Sequence, residues 1–280
     1  MENHSIFKSN RCCVIITGAS KGFGRILAKK FAHSFFNQFS NDKESILKFI
    51  LIARNENELD SLANELRSID SRCNMVTKIV TDLAETKAID DINKEFEQNL
   101  NNNLSKPYGH YILIHNAGSI GKTTELCDTV TVNDAAKRHV YYRLNLYSIM
   151  EMTSIFLRQI KTQMNVSHHC HIINVSSLAA IKPMPGLLDY CVGKAAREAY
   201  FKQLANELIT TKQSKTKYRI LNYAPGPLDT EMFRQLQQES TLQKQFQETI
   251  PLKPEDSANK LLQILYKDEF ADAAHVDYYD

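Results

Sequence analysis

The chain has 280 residues, a length that can bury one substantial α/β core. Its formal net charge of +2 comes from interspersed basic and acidic residues, so nothing in it favours binding to nucleic acid or to an anionic membrane surface. The six cysteines form no CxxC pair and no Cys/His set with metal-like spacing, so we expect reduced thiols and no metal site.

The first predicted element is a phosphate-binding turn near the N-terminus. The apolar run from Cys12 to Ile16 suits a buried strand, and an apolar stretch compatible with a helix begins at Arg25. The turn between them has the pattern TGxxxGxG and contains Gly18, Ala19, Ser20, Lys21, Gly22, Phe23 and Gly24. Glycines let the backbone approach a phosphate, and a helix N-terminus presents free N–H groups and positive potential. The alternative is a tight strand-to-helix turn without a ligand.

Six apolar runs are predicted to be strands, and segments with helical periodicity separate them. The runs are Val14–Ile16, Phe49–Ala53, Met75–Val80, Tyr111–His115, His171–Val175 and Tyr218–Tyr223. Strands that alternate with helices predict an α/β fold, with a Rossmann-like, doubly wound parallel sheet and helices on both faces.

The predicted motifs extend through the whole chain rather than one half. We therefore expect a single domain over residues 1–280, with a cofactor-binding half at about 10–120 and a catalytic and substrate-binding part at about 121–280. Two polar stretches, 39–48 and 98–106, are predicted to be surface insertions in the connections between elements.

Polar residues follow the predicted strands, at the edge where a doubly wound sheet binds its ligand. Arg54 follows the second strand, where an acidic residue usually meets the ribose 2′-hydroxyl of NAD and a guanidinium suits a 2′-phosphate. Together with Lys21, Arg54 favours NADP(H) over NAD(H). Asp82 follows the third strand and is predicted either to accept a hydrogen bond from an adenine amino group or to cap a helix. After the fourth strand, a turn against the cofactor ribose is predicted at Asn116, Ala117 and Gly118.

A hydroxyl, a phenol and an ammonium group follow the fifth strand. Tyr190 and Lys194 are four residues apart, so on a helix they share a face. The ammonium is expected to lower the pKa of the Tyr190 phenol toward the neutral range, which would suit proton transfer to a carbonyl oxygen. Ser177 would supply a second donor to the same oxygen. The alternative is a half-buried tyrosine, a solvated lysine and a turn hydroxyl.

Through TGASKGFG, HNAG, YYRLNLYS, the Ser177, Tyr190 and Lys194 set and APGPLDT, the chain resembles the short-chain dehydrogenase/reductase family from near residue 10 to beyond 230. The resemblance implies that Ser177 orients a substrate carbonyl, that Tyr190 protonates its oxygen and that Lys194 binds the nicotinamide ribose. Asn145 matches the helix asparagine that positions a water for a proton relay. The further cofactor contacts that the resemblance implies are Asn55, Leu83, Leu228, Asp229, Thr230, Glu231 and Met232.

Within the family the resemblance is greatest to reductases of pterin side-chain ketones, and it includes the C-terminal AHVDYYD. It implies that the substrate contacts are Ser177, Leu178, Tyr190, Gly226 and Asp277. The Asp277 carboxylate can accept two parallel hydrogen bonds from a 2-amino-4-oxo pyrimidine, whereas the alternative is a solvated acid at a frayed terminus. Two other functions stay open: an NADPH-dependent carbonyl or diketone reductase of broader specificity, and an NADP-binding sensor or scaffold.

Two residues depart from the family's pattern. His115 stands where another asparagine is usual, and Asp189 precedes Tyr190 where an apolar residue is common. Asp189 would oppose a lowered pKa of the phenol if its side chain pointed into the site, although neighbours along a helix face different ways. The resemblance also suggests a homodimer. Because the first residues lack the apolar core of a signal peptide and no run approaches a membrane span, we expect a soluble cytoplasmic protein.

Overall fold

The computed structural model describes residues 5–100, 107–121, 132–161, 168–210, 215–238 and 246–280. Seven strands form one sheet in the order β3-β2-β1-β4-β5-β6-β7, and every neighbouring pair is parallel. The strands are β1 Arg11–Thr17, β2 Ile46–Ala53, β3 Met75–Val80, β4 His110–His115, β5 His169–Val175, β6 Lys217–Ala224 and β7 Ala274–Asp277. The predicted doubly wound parallel sheet and its six strands are confirmed.

The connections between the strands are helical. The α-helices are α1 Gly22–Gln38, α2 Glu56–Ile69, α3 Ala88–Leu100, α4 Val132–Tyr142, α5 Ser148–Lys161, α6 Leu188–Thr210, α7 Glu231–Gln238 and α8 Pro254–Lys267. A π-helical turn, Arg143–Tyr147, joins α4 to α5, and a short 3-10 turn, Leu178–Ala180, follows β5. Local chemistry sets some of these boundaries: α8 begins with a proline, whose fixed φ suits the first helical turn.

Apolar side chains on the two faces of the sheet build two cores. In β1, Val14 and Ile16 lie in the core that packs against α1, α2 and α8, whereas Cys13 and Ile15 lie in the core that packs against α3, α5 and α6. Burial on both faces explains why the central strands are continuous apolar runs without polar alternation. The helices thus cover both faces of the sheet, as predicted.

Three details differ from the sequence prediction or lie outside the structure. The predicted insertion 39–48 extends too far, because its last residues belong to β2. This strand begins at Ile46, which pairs with Arg11 of β1. In the second stretch, 98–106, α3 extends to Leu100, and residues 101–106 lie outside the described residues. The short strand β7 was not predicted; its four residues are all half-buried, and they form a strand by pairing with β6.

The parallel register places the ends of β5, β6 and β7 at one level. Val175 pairs with Tyr223, and the next residue of β6, Ala224, pairs with Asp277. Two inter-strand spacings separate β5 from β7, so Asp277 lies about 10 Å across the sheet from the end of β5. Within the described ranges, no helix is both long and apolar enough to span a bilayer.

Candidate active site

The glycine turn after β1 is held to the neighbouring strands by backbone and side-chain hydrogen bonds. Gly18 has a φ of +65°, which a residue with a side chain rarely adopts, and its N–H donates to the Ile52 carbonyl at 2.8 Å. Asn116 Nδ2 donates to the carbonyls of Thr17 at 3.0 Å and Gly18 at 3.2 Å. The Asn116 side chain therefore fixes the turn itself.

The start of α1 has no competing cap. Lys21 occupies the position before the helix without capping it through its side chain, and the first turn contains no acidic residue. A Cβ at Gly24 would overlap the Gly18 carbonyl oxygen and approach Asn116 Nδ2 to 2.5 Å, so only glycine lets the helix start this close to β1. Free N–H groups at a helix N-terminus behind a glycine turn suit a phosphate. The other turn residues serve the scaffold: Phe23 and Ala19 are buried, and Ser20 accepts from Arg25 through its carbonyl.

The predicted contacts after β2 and β3 come together. Arg54 Nη1 lies 3.5 Å from Asp82 Oδ2, and the Arg54 side chain is 73% exposed, so its guanidinium is accessible to a ligand. Asp82 Oδ1 accepts from the Ala84 N–H at 3.0 Å in a local turn, and α3 begins only at Ala88, so Asp82 does not cap that helix. Asn55 accepts from the Glu58 N–H at 3.1 Å and caps α2, and the Leu83 side chain is buried in the core.

The segment after β6 lies across from the glycine turn. Lys21 Nζ forms an ion pair with Glu231, and the methyl group of Thr230 would be 3.6 Å from a Cβ at Gly22. Leu228 is joined to Leu252 by a parallel bridge. The remaining predicted contacts of this segment are exposed. Asp229 forms an ion pair with Arg234, and Met232 lies at the start of α7. The structure thus brings both sides of the predicted cofactor cleft together.

Ser177, Tyr190 and Lys194 meet at the carboxyl end of β5. Tyr190 and Lys194 lie on α6, and Lys194 Nζ is 5.6 Å from the centroid of the Tyr190 ring. Lys194 Nζ donates to the Val175 carbonyl at 2.7 Å. The Ser177 hydroxyl makes a side-chain hydrogen bond with Tyr190 and accepts from the Ala179 N–H at 3.2 Å. This is the predicted grouping of hydroxyl, phenol and ammonium.

The electrostatics of the phenol differ from the sequence prediction. Burial raises the pKa of Tyr190, and the hydrogen bond with Ser177 and the charge of Arg197 lower it only in part. Burial also lowers the pKa of Lys194 well below its ordinary value, since the low-dielectric surroundings disfavour an ammonium. The expected lowering of the Tyr190 pKa is therefore wrong for this structure, because desolvation of the buried phenol outweighs the two neighbours that lower its pKa.

Asn145 lies in the π-helical turn between α4 and α5 and is buried. Its Oδ1 accepts from the Ser119 N–H at 2.9 Å and its Nδ2 donates to the Tyr141 carbonyl at 3.0 Å. A Cβ at Gly118 would lie 3.1 Å from the same Oδ1, so Gly118 leaves space for the amide. Irregular turns of this kind are frequent at functional sites. The water relay through Asn145 stays a prediction.

The predicted substrate contacts surround the ends of β5, β6 and β7. Leu178 is 40% exposed at the start of the 3-10 turn, and Gly226 has a φ of +76° beside Leu252 and Tyr279. Asp277 ends β7, and its Oδ1 accepts from the Tyr279 N–H at 3.1 Å. Asp277 is therefore held by a strand and a turn, not placed on a frayed end.

One family of oxidoreductases is characterised by three features together: a strand-to-helix glycine turn, a Ser-Tyr-Lys set and an asparagine in the preceding helix. A family model described as short chain dehydrogenase matches residues 12–241 of this chain. The chain belongs to the short-chain dehydrogenase family. This confirms the resemblance, which was drawn from its motifs.

Known proteins resemble this dehydrogenase over nearly all its length. Sepiapterin reductase of Meriones unguiculatus is 35% identical to it, and the match covers 96% of this chain and 97% of the relative. Sepiapterin reductase of Rattus norvegicus is 34% identical with the same coverage. The crystal structure of L-sorbose reductase from Gluconobacter frateurii, complexed with NADPH and L-sorbose, superposes with a TM-score of 0.71 at 21% identity, covering 98% of this chain and 96% of that one. The structural match shows the shared fold.

Both departures from the family pattern have local explanations in this dehydrogenase. His115 is fully buried; its Nε2 donates at 2.9 Å to the Thr153 hydroxyl, which itself donates to the Ile149 carbonyl. Asp189 points away from the Tyr190 phenol and is engaged by Arg138 Nε at 3.0 Å and by the Tyr142 hydroxyl at 3.1 Å. Asp189 therefore does not act on Tyr190 as the sequence allowed.

Two residues that position the site were missed in the sequence. The Thr17 hydroxyl accepts from the backbone N–H groups of Asn116 at 3.0 Å and Ala117 at 2.9 Å, which ties the end of β1 to the turn after β4. Arg197 is fully buried and donates to Asn174 Oδ1 and to the His115 carbonyl, both at 2.8 Å. The signal for Arg197 was its helical spacing from Tyr190, seven residues on and therefore on the same face.

Proposed function

We propose that this dehydrogenase is an NADPH-dependent reductase of pterin side-chain ketones. Its reactions would be those of a sepiapterin reductase, sepiapterin to dihydrobiopterin and 6-pyruvoyl-tetrahydropterin to tetrahydrobiopterin. The observation that carries the proposal is the placement of Asp277 about 10 Å across the sheet from the end of β5, the strand that leads into Ser177. That separation matches a bicyclic ring held at one end with its side-chain ketone at the other. Full-length similarity to sepiapterin reductases of two rodents supports it.

The donor groups of the cleft fit NADP(H). The uncapped start of α1 and the glycine turn would hold the diphosphate, since both present backbone N–H groups. The exposed guanidinium of Arg54 would hold the 2′-phosphate. Lys21 stands at the mouth of the same cleft, where Glu231 neutralises it in part. When bound, NADPH supplies the hydride from C4 of its nicotinamide ring.

The chain's own residues supply the proton and the charge stabilisation. Because burial raises the pKa of Tyr190, the phenol is protonated at neutral pH, and that is the form that delivers a proton to the carbonyl oxygen. Ser177 contacts the same phenol and would donate to the same substrate oxygen as negative charge develops on it. Lys194, anchored on the Val175 carbonyl, places its positive end beside the Tyr190 ring.

An NADPH-oxidation assay tests the proposal with two substrates and one variant. The full chain is expected to turn over sepiapterin, and Tyr190→Phe is expected to abolish that turnover while NADPH binding persists. Turnover of a small diketone without turnover of sepiapterin would replace the proposal with a carbonyl reductase of broader specificity. NADPH binding without turnover of either would favour a sensor or scaffold. The homodimer, the cytoplasmic location and the single domain stay predictions of the sequence.

A further inference from the structure

Helix α6 carries three buried charged residues within little more than one turn. The exposed fractions are 6% for Lys194, 0% for Arg197 and 2% for Glu198. Charged side chains are seldom buried unless an opposite charge or several hydrogen bonds compensate for the lost water. A lysine, an arginine and a glutamate thus lie in the low-dielectric interior on the helix that carries Tyr190.

The two cations are held by neutral groups. Lys194 Nζ donates to the Val175 carbonyl, and the Arg197 guanidinium donates to the Asn174 amide and to backbone carbonyls. These contacts satisfy hydrogen bonds but supply no negative charge. Burial and the nearby Arg197 both disfavour the charged form of Lys194 and lower its pKa, whereas Glu198 raises it.

Glu198 is the buried carboxylate that the fold holds in this place. Its Oε1 accepts from the Ser176 hydroxyl at 2.5 Å and from His275 Nδ1 at 2.6 Å. Its Oε2 lies 3.8 Å from Lys202 Nζ, whose side chain is 57% exposed. Partners on β7, just after β5 and on α6 thus hold the carboxylate in place.

Glu198 lies four residues after Lys194, so the two side chains share a face of α6. The other titratable groups around this pair are Tyr190 and Arg197 on α6, Tyr141 on α4, whose hydroxyl lies close to Gly193, and His275 on β7, which contacts Glu198. Of Glu198 and these described groups, Glu198 is the one carboxylate.

We propose that Glu198 is the counter-charge of Lys194, a positioning residue that keeps the buried ammonium in its charged form beside Tyr190. The inference rests on the proposed function, in which Lys194 places a positive charge beside the Tyr190 ring. The competing explanation is that Glu198 only fastens β7 to α6 through His275. The two explanations differ in what happens to Lys194 when the carboxylate loses its charge without losing its shape.

An NMR titration of the full chain, labelled with isotope in its lysine side chains, measures this directly. Loss of one resonance in Lys194→Met identifies Lys194. Glu198→Gln is expected to move the Lys194 midpoint to lower pH by about one pH unit, because a nearby negative charge is removed from a low-dielectric site. Glu207→Gln is the matched control, as it makes the same change at an exposed position of α6 and should leave the midpoint where it was.

Two further measurements separate the explanations. His275→Gln removes the link to β7 but keeps the carboxylate, so the midpoint should stay near its wild-type value if Glu198 acts through its charge. Turnover of sepiapterin by Glu198→Gln should begin to fall at lower pH than in the wild type, whereas Glu198→Asp, which keeps the charge, should restore the wild-type profile.

A Lys194 midpoint that is the same in Glu198→Gln and the wild type would overturn the inference. If Glu198→Gln does not fold, the wild-type midpoint decides: a value below about pH 7 would show that the carboxylate does not keep the ammonium charged. Failure of the proposed function is a different result. Sepiapterin turnover that survives in Tyr190→Phe would overturn that function and leave the lysine titration unaffected.

Discussion

The carboxylate of Asp277 is expected to decide which substrates this dehydrogenase reduces well. Asp277→Asn keeps the shape of the side chain and its Oδ1, so the hydrogen bond from the Tyr279 N–H and the pairing of β7 with Ala224 should persist. The substitution changes the second carboxylate oxygen, Oδ2, which becomes an NH2 group and can no longer accept a hydrogen bond. A pterin would present an N–H donor to that group, and two donors would face each other.

The size of the effect follows from the hydrogen bonds that are lost. A hydrogen bond to a charged group contributes about 1.5–3 kcal/mol, and an unpaired polar group adds to the cost. A total near 3 kcal/mol corresponds to a fall of about 100-fold in kcat/KM for sepiapterin. A small diketone bound at Ser177 and Tyr190 would not reach Asp277, which the sheet separates from the end of β5 by about 10 Å, so its kcat/KM should be unchanged.

Steady-state kinetics with sepiapterin and a diketone measure the two effects in one preparation, and NADPH binding by fluorescence checks that the cofactor cleft is intact. Glu269→Gln is the control, because it removes an exposed negative charge after α8 and before β7 without touching the site. Equal losses on both substrates would mean that Asp277 acts through the fold. Unchanged sepiapterin kinetics would remove Asp277 from the substrate site and refute the reasoning.

Three other substitutions test the remaining parts of the site. Tyr190→Phe should lower kcat by at least about 100-fold, the usual contribution of a positioned proton donor, while NADPH binding measured by fluorescence stays unchanged. Arg54→Ala should weaken NADPH binding by about tenfold or more and leave NADH binding nearly unchanged, and Arg67→Ala, on the exposed side of α2, should affect neither. Asn55→Ala should lower the free energy of unfolding by about 1 kcal/mol in chemical denaturation, because it removes the N-cap of α2; an unchanged stability would contradict that role.

Much of the fold was predictable because its signals are local. Each central strand is an apolar run of the right length, and the glycine turn stands directly between β1 and α1. β7 was missed because its stability is not local. His275 and Asp277 are ordinary polar residues in the sequence, and they become a strand only through pairing with Asn222 and Ala224.

The site was predictable as a set of residues, and less so in its electrostatics. Tyr190 and Lys194 were found by their helical spacing, but the direction of the Tyr190 pKa was wrong because it depends on how deeply α6 is buried. Asn55 was expected at the cofactor, and its side chain caps α2. The sequence allowed Asp189 to oppose a lowered pKa of the Tyr190 phenol, but in the structure its carboxylate binds Arg138 and Tyr142.

The sequence by itself determined the order of the first six strands and their intervening helical segments, the glycine turn and the identity of the Ser-Tyr-Lys set. Spacing along the chain and the period of a helix suffice for these. Only the tertiary structure decided which groups share one environment. Glu198 and His275 are 77 residues apart, and their contact exists because β7 joins the sheet beside β6. Desolvation and charge act through space, so the protonation of Lys194 and Tyr190 depends on neighbours that no local pattern reveals.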